Sequence, residues 1–177
     1  MRTSTLLSIF VGVAAAQNVS EESVKFGKHY AVLNLDLINA IVTPIAASKD
    51  GRKFIKNTAK WIDAVHDVDP LPLSIFTRIY FSSDLKPELK SNSGFADLVE
   101  GITTEDDNST AIYPDFNVKQ DMGDIILGKT RYYAGDGNAL EEILRAQKIK
   151  TVVISGVRTS GVVLSTVYRL FDLDYKM

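Results

Sequence analysis

The chain has 177 residues, of which 45% are apolar and 24% charged, and its net charge is −2. That length and composition describe one globular domain, and the near-neutral charge gives no electrostatic reason to expect nucleic acid or an anionic membrane as partner. Cysteine is absent, which excludes disulfides, thiolate metal sites and any thiol nucleophile.

Taken in chain order, Arg2 precedes an apolar run from Leu6 to Val13, and Ala14-Ala15-Ala16 stands before Gln17. A basic start, a short apolar stretch and an Ala-x-Ala site describe a secretory signal peptide, so residues 1–16 are expected to be removed, leaving a secreted domain over 17–177. The run is too short to span a bilayer, which takes ~20 apolar residues. Two Asn-x-Ser/Thr triplets, at Asn18 and Asn108, fit a secreted protein.

His29–Leu37 is nearly continuous in apolar residues and predicts a strand covered on both faces. Gly51–Val68 places Phe54, Ile55, Ala59, Ile62 and Val65 on one helical face, and Asp69-Pro70-Leu71-Pro72 stops it. Leu73–Phe81 predicts a second strand. The segment from Ser82 to Asp121 is long and polar, the kind of connection that serves as a lid or a mobile insertion. Gly123–Lys129 contains a third strand, Ala139–Lys148 a helix with Glu141 and Glu142 ahead of Arg145, Thr151–Ile154 a fourth strand, and Val162–Phe171 a last helix. Asp174–Met177 reads as a further strand just beginning. Strands alternating with helices imply a three-layer α/β/α fold around a mostly parallel sheet.

Two charged residues stand out from this background. Asp36 lies within the apolar run Leu33–Ile38, where a carboxylate without a partner is costly and its pKa tends upward; a strand-end Asp capping the next segment is the plainer alternative. Lys129 ends the third strand, where a lysine is ordinarily a solvated charge. The third candidate region is the turn from the fourth strand into the last helix, Gly156-Val157-Arg158-Thr159-Ser160-Gly161-Val162. Strand-to-helix turns of this kind are where α/β proteins gather ligands.

The turn Gly156–Thr166, the segment Asp36-Leu37-Ile38-Asn39 and the segment Lys129-Thr130-Arg131-Tyr132-Tyr133-Ala134 together resemble the isochorismatase-like (cysteine hydrolase) family. The likeness runs over about residues 28–177. It implies that Asp36 and Lys129 occupy catalytic positions and that Val162 stands where most members keep a nucleophilic Cys. It implies further that a Gln usual after the Asp and a Phe usual after the Lys motif are replaced here by Ile38 and Gly135. The family pattern continues with another strand past Tyr175, so the resemblance implies that the last strand is missing.

Val162 cannot attack an amide, which removes the thiolate route to amidase chemistry. Ser160 and Ser165 lie near but not at the nucleophile position, and no Gly-x-Ser-x-Gly elbow is present. The resemblance leaves a second route, because isochorismatases proper also lack the Cys. A vinyl ether is hydrolysed by protonation at carbon followed by capture with water, so the essential group is a general acid, and Asp36 could be that acid. Lys129 beside it favours the carboxylate and burial favours the acid; sequence does not say which wins. Arg158, Thr159, Ser160 and Gly161, with Lys129, could bind substrate carboxylates.

Other chemistries fail on detail. Val162-Val163 stands where a P-loop requires Lys-Ser/Thr, and no Gly-x-Gly-x-x-Gly follows the first strand. His29 and His66 do not form the Asp-x-His pair that the metal-dependent branch of the family uses. His66 is expected to end a helix, and Trp61, Tyr132 and Tyr133 to be packing residues. The expectation is therefore a hydrolase with a small-molecule substrate, anionic if Arg158 engages it. No metal, cofactor, nucleic acid or membrane is expected, and a homo-oligomer stays open. The alternative is a catalytically inactive relative that acts as a secreted binding protein.

Overall fold

A computed structural model of the chain describes residues 26–177. The expected signal peptide and the Asn18 triplet lie outside those residues. Four parallel strands form the central sheet: β1 (Tyr30–Leu35), β2 (Leu73–Ile79), β3 (Ile125–Lys129) and β4 (Thr151–Gly156), in spatial order β3-β2-β1-β4. Register pairs Leu35 with Thr77 and with Gly156, and Ile79 with Lys129, so the carboxyl ends of all four strands share one edge of the sheet. The chain moves outward from β1 to β2 and β3, then returns across the sheet to place β4 on the other side of β1. That reversal makes the β1/β4 boundary a topological switch point, the place where open α/β sheets hold ligands.

Alternation along the strands sends side chains to two apolar layers. On one face Leu33, Leu35, Ile75 and Val152 pack with Leu140 and Leu144 of helix α4 (Leu140–Ala146) and Leu170 of helix α5 (Leu164–Phe171). On the other, Phe76 packs with Val42 of α1 (Asn39–Ala46) and with Ile55 and Ile62 of α2 (Lys49–His66). Full burial of one such side chain contributes roughly 1.5–3 kcal/mol. The α/β/α expectation therefore holds, with the sheet parallel throughout. Lys176 makes a single parallel bridge to Thr151 beside β4, the short strand-like start expected near Tyr175.

Local signals explain most boundaries. The Ser48 hydroxyl accepts the Gly51 N–H at 2.9 Å and caps α2, and Asp50 sits in its first turn. At the other end His66, as expected, closes the helix. Its ring Nε2 lies 2.9 Å from Asp124 Oδ2, which also accepts the Lys119 N–H at 2.7 Å. This buried contact ties the end of α2 to the entry of β3, at the edge of the sheet opposite the candidate site. Helix α1 carries Pro44 inside it and β-branched residues around it. Propensity argues against it, and Val42 buried on the sheet holds it.

The long connection after β2 is ordered into short pieces. It holds α3 (Gly94–Leu98) and one-turn helices at Asn108–Thr110 and Gln120–Met122. A third apolar cluster, Ile38, Ile79, Phe81, Val99 and Ile102, roots it on the carboxyl edge of the sheet. Three cations donate to its carbonyls: Arg78 to Glu105 and Thr110, Lys86 to Val99 and Glu100, and Arg131 to Glu88. Among the described residues no helix is long and apolar enough to cross a membrane.

Candidate active site

Asp36 is the first residue past β1, not an interior strand residue, because the strand stops at Leu35. Its φ is +54°, a left-handed conformation that Asp tolerates better than most residues. The bend turns the carboxylate toward β2, where the Thr77 hydroxyl donates to Oδ1 at 2.8 Å and accepts the Asp36 N–H at 3.1 Å. Lys129, at the end of β3, reaches across β2 and places Nζ 2.8 Å from Asp36 Oδ2. The same ammonium donates to the Arg131 carbonyl at 2.7 Å. Both side chains are almost wholly buried, with 0% of the Lys129 and 5% of the Asp36 side chain exposed.

The competition left open by the sequence has a direction. Burial pushes the Asp36 carboxyl above the ordinary aspartate range, and Lys129 and Thr77 pull it back without cancelling the effect. Asp36 is thus a buried acid that keeps its proton to higher pH than a solvated one. A cation waits 2.8 Å away for the charge that appears when the proton leaves.

The turn after β4 supplies the other side of the site. Gly156 has φ +152°, and a Cβ there would run into the Leu35 carbonyl of β1. Glycine is therefore what allows β1 and β4 to stay paired up to the residue before Asp36. The Val157–Arg158 peptide is cis. Thr159–Val163 forms a π-helical turn that runs into α5, so the last helix begins earlier and wider than its apolar pattern indicates.

A cavity of about 730 Å³ opens where these pieces meet, lined by Asp36, Arg158, Ser160 and Val162 among others. Lys129 stands behind Asp36 rather than in the lining, Thr159 is exposed outside it, and Gly161 is buried with the Tyr132 ring over its Cα. Val162 is 1% exposed, a packed wall residue with no group for covalent chemistry.

Several lining residues carried no signal in the sequence. Helix α1 contributes Ile41, Pro44 and Ile45, and the connection after β2 contributes Leu98 and Ile102. Tyr132, expected to be a packing residue, lines the cavity and sets its ring edge-on to Phe95 at 5.1 Å between centroids. Tyr133 does pack: its hydroxyl donates to Glu141 at 2.8 Å, and burial together with that carboxylate pushes its phenol up. Trp61 packs against the α2 face of the sheet. Thr77 was detectable only as a small hydroxyl inside the run Ser74-Ile75-Phe76-Thr77.

The family profile described as the isochorismatase domain matches residues 30–177, nearly the whole described chain. The chain belongs to the isochorismatase family. Solved structures superimpose on it at low identity. A cysteine hydrolase from Pseudomonas syringae pv. phaseolicola matches with TM-score 0.69 and 17% identity over 84% of this chain and 68% of that one. An isochorismatase family protein from Desulfovibrio vulgaris gives 0.69 and 19%, over 84% and 77% of the two chains. N-carbamoylsarcosine amidase from Thermoplasma acidophilum gives 0.63 and 21%, over 84% and 79%. At these identities the structural likeness shows the isochorismatase fold and leaves the reaction to the site. Comparison with curated proteins finds no match.

Proposed function

We propose that this isochorismatase family member is a Cys-independent hydrolase that opens a vinyl ether, with Asp36 as general acid and Lys129 as its electrostatic partner. One observation carries the reading: a buried carboxyl with a raised pKa faces a cavity, an ammonium lies 2.8 Å behind it, and the nucleophile position holds Val162. A thiolate mechanism needs a group this chain lacks, whereas general-acid catalysis needs only the group that is there.

The reaction balances without a protein nucleophile. Asp36 gives its proton to the terminal methylene carbon of CH₂=C(X)–OR, and the C=C electron pair forms the new C–H bond. The cation left on the neighbouring carbon is stabilised by the ether oxygen. The carboxylate left on Asp36 meets the Lys129 ammonium, already in place, so little reorganisation accompanies charge formation. Water adds to the cation and releases a proton that reloads Asp36. The hemiketal then collapses to a methyl ketone and ROH. Arg158 and Ser160 in the cavity wall, with Thr159 and Gly161 in the adjoining turn, are the proposed binding residues for an anionic group on the substrate.

The test is a mass-spectrometric turnover screen of the mature protein against isochorismate, simple vinyl ethers and nicotinamide. Release of ROH and a methyl ketone from a vinyl ether, with nicotinamide untouched, is the expected result. A folded wild-type protein inert on all of them would replace this reading with that of a binding protein. The Arg2 start, the apolar run and Ala14-Ala15-Ala16 support our proposal that the protein is secreted and begins at Gln17 once processed.

A further inference from the structure

We infer that the cavity is built for an amphipathic monoanion, a molecule with one carboxylate or similar group and an uncharged, apolar body, and that Arg158 is the residue that selects for the single charge. The inference rests on the cavity being the site proposed above, and it changes what the site should accept.

The sequence offered two cations for substrate carboxylates, Lys129 and Arg158. Lys129 is spent: its ammonium is held by Asp36 Oδ2 at 2.8 Å and by the Arg131 carbonyl at 2.7 Å, and its side chain is 0% exposed. Among the described residues lining the cavity, Arg158 is then the single cation. It is exposed and joins no ion pair among the described residues, so its guanidinium is free to fork onto a ligand carboxylate. Ser160 stands beside it as a neutral hydroxyl.

Much of the remaining wall is of another kind. Ile41, Pro44 and Ile45 from α1, with Leu98 and Ile102 from the connection after β2, line the same cavity, and Ile41 packs in the apolar cluster that holds Ile102. Leu98 is 68% exposed, an apolar lining side chain left open to solvent. A second charge carried away from Arg158 would have to lie on this wall without a partner, which desolvation strongly opposes. Removing an apolar body from water onto the same wall is favourable. Arg158 is therefore the charge-selective part of the lining, and the apolar part rejects charge.

Three probes of equal length separate the possibilities, with binding to the folded full chain measured by isothermal titration calorimetry: octanoate, 1-octanol and octanedioate. Octanoate should bind most tightly. Octanol, lacking the charge, and octanedioate, carrying a second one, should each be weaker by about tenfold or more. Arg158→Gln should erase the advantage of octanoate over octanol, and because position 158 is exposed the fold should be unaffected, as thermal denaturation would verify. Ile45→Asn should weaken octanoate and octanol together. Octanedioate binding as tightly as octanoate, an octanoate preference that survives in Arg158→Gln, or no binding of any probe would each overturn the inference. The readout needs no turnover. A protein inert on vinyl ethers that still orders the probes this way overturns the hydrolase reading and supports this one.

Discussion

The Lys129 ammonium sits 2.8 Å from the Asp36 carboxyl group although the two residues are at the ends of strands separated by β2. The sheet register makes this reachable: Lys129 pairs with Ile79, and Thr77, two residues back along β2, pairs with Leu35 just before Asp36. Above the raised Asp36 pKa, where both groups are charged, a buried pair of this kind is destabilised most when half of it is removed, by about 3–5 kcal/mol, because the remaining charge is left unpartnered. Measured at that pH, Lys129→Met should therefore lower stability by about that amount, and Asp36→Asn combined with Lys129→Met should recover most of the loss. Urea unfolding of the two single variants and the double variant measures it. Additive losses would mean that the two groups do not interact.

Stability should also depend on pH through Asp36. Its carboxyl is pushed up by burial, so between the ordinary aspartate range and the raised value the folded chain holds a proton that the unfolded chain has released. Folded protein binding more protons means that stability falls as pH rises through that window, and is fully present below it. Subtracting the pH–stability curve of Asp36→Asn from that of the wild type isolates this contribution. A difference curve rising with pH would show that Lys129 has overcome burial and that Asp36 rests as a carboxylate.

Thr77 tunes the same acid. Its hydroxyl donates to Asp36 Oδ1 at 2.8 Å and favours the ionised form. Thr77→Val keeps the shape and removes that bond, so the Asp36 pKa should rise further. The alkaline limb of kcat/KM should move to higher pH while activity persists. The Asp36 N–H loses its acceptor as well, at a cost of about 1–3 kcal/mol in stability. A pH profile with an unmoved limb would reduce Thr77 to a packing residue.

The sequence revealed the frame of this site more fully than its working geometry. Strands covered on both faces and the apolar stripe of α2 are periodic signals, and the structure places them within a few residues of expectation. Helix α1 was not legible, because Pro44 and its β-branched neighbours obscure a helix held by packing. Asp36 read as an interior strand residue, since Leu37 and Ile38 continue the apolar pattern. Those two are buried for a different reason: the backbone bends at φ +54° and drives Leu37 into the cluster under α1 and α2 and Ile38 into the cluster under the connection after β2. Nor does any local pattern reveal that Lys129 is consumed by Asp36, or that isoleucines of α1 and Leu98 wall the cavity. Those are contacts between segments far apart in the chain.

Gly156 provides a separate test of how the two halves of the site are joined. Gly156→Ala adds a Cβ into the Leu35 carbonyl at a φ of +152° that alanine avoids. Strain of this class costs on the order of 1–3 kcal/mol, and relief would part the ends of β1 and β4. Stability and ligand binding should fall together. A Gly156→Ala variant with unchanged thermal stability would contradict the close approach.

The His66–Asp124 contact makes the opposite forecast. It lies at the far edge of the sheet, and both side chains are 1% exposed. His66→Ala should destabilise the fold yet leave KM and the pH profile of the surviving folded protein unchanged. Steady-state kinetics at a temperature where the variant remains folded would check it.

The most direct measurement for the account as a whole is kcat/KM on a vinyl ether for the wild type and Asp36→Asn, with circular dichroism confirming that both are folded. General-acid catalysis is typically worth ~10²–10⁴-fold, so the variant should lose at least that much. Wild-type activity should decline as pH rises through the raised Asp36 pKa. Equal activity in Asp36→Asn, or a wild-type rate that climbs with pH across that range, would contradict the assignment of Asp36 as the acid.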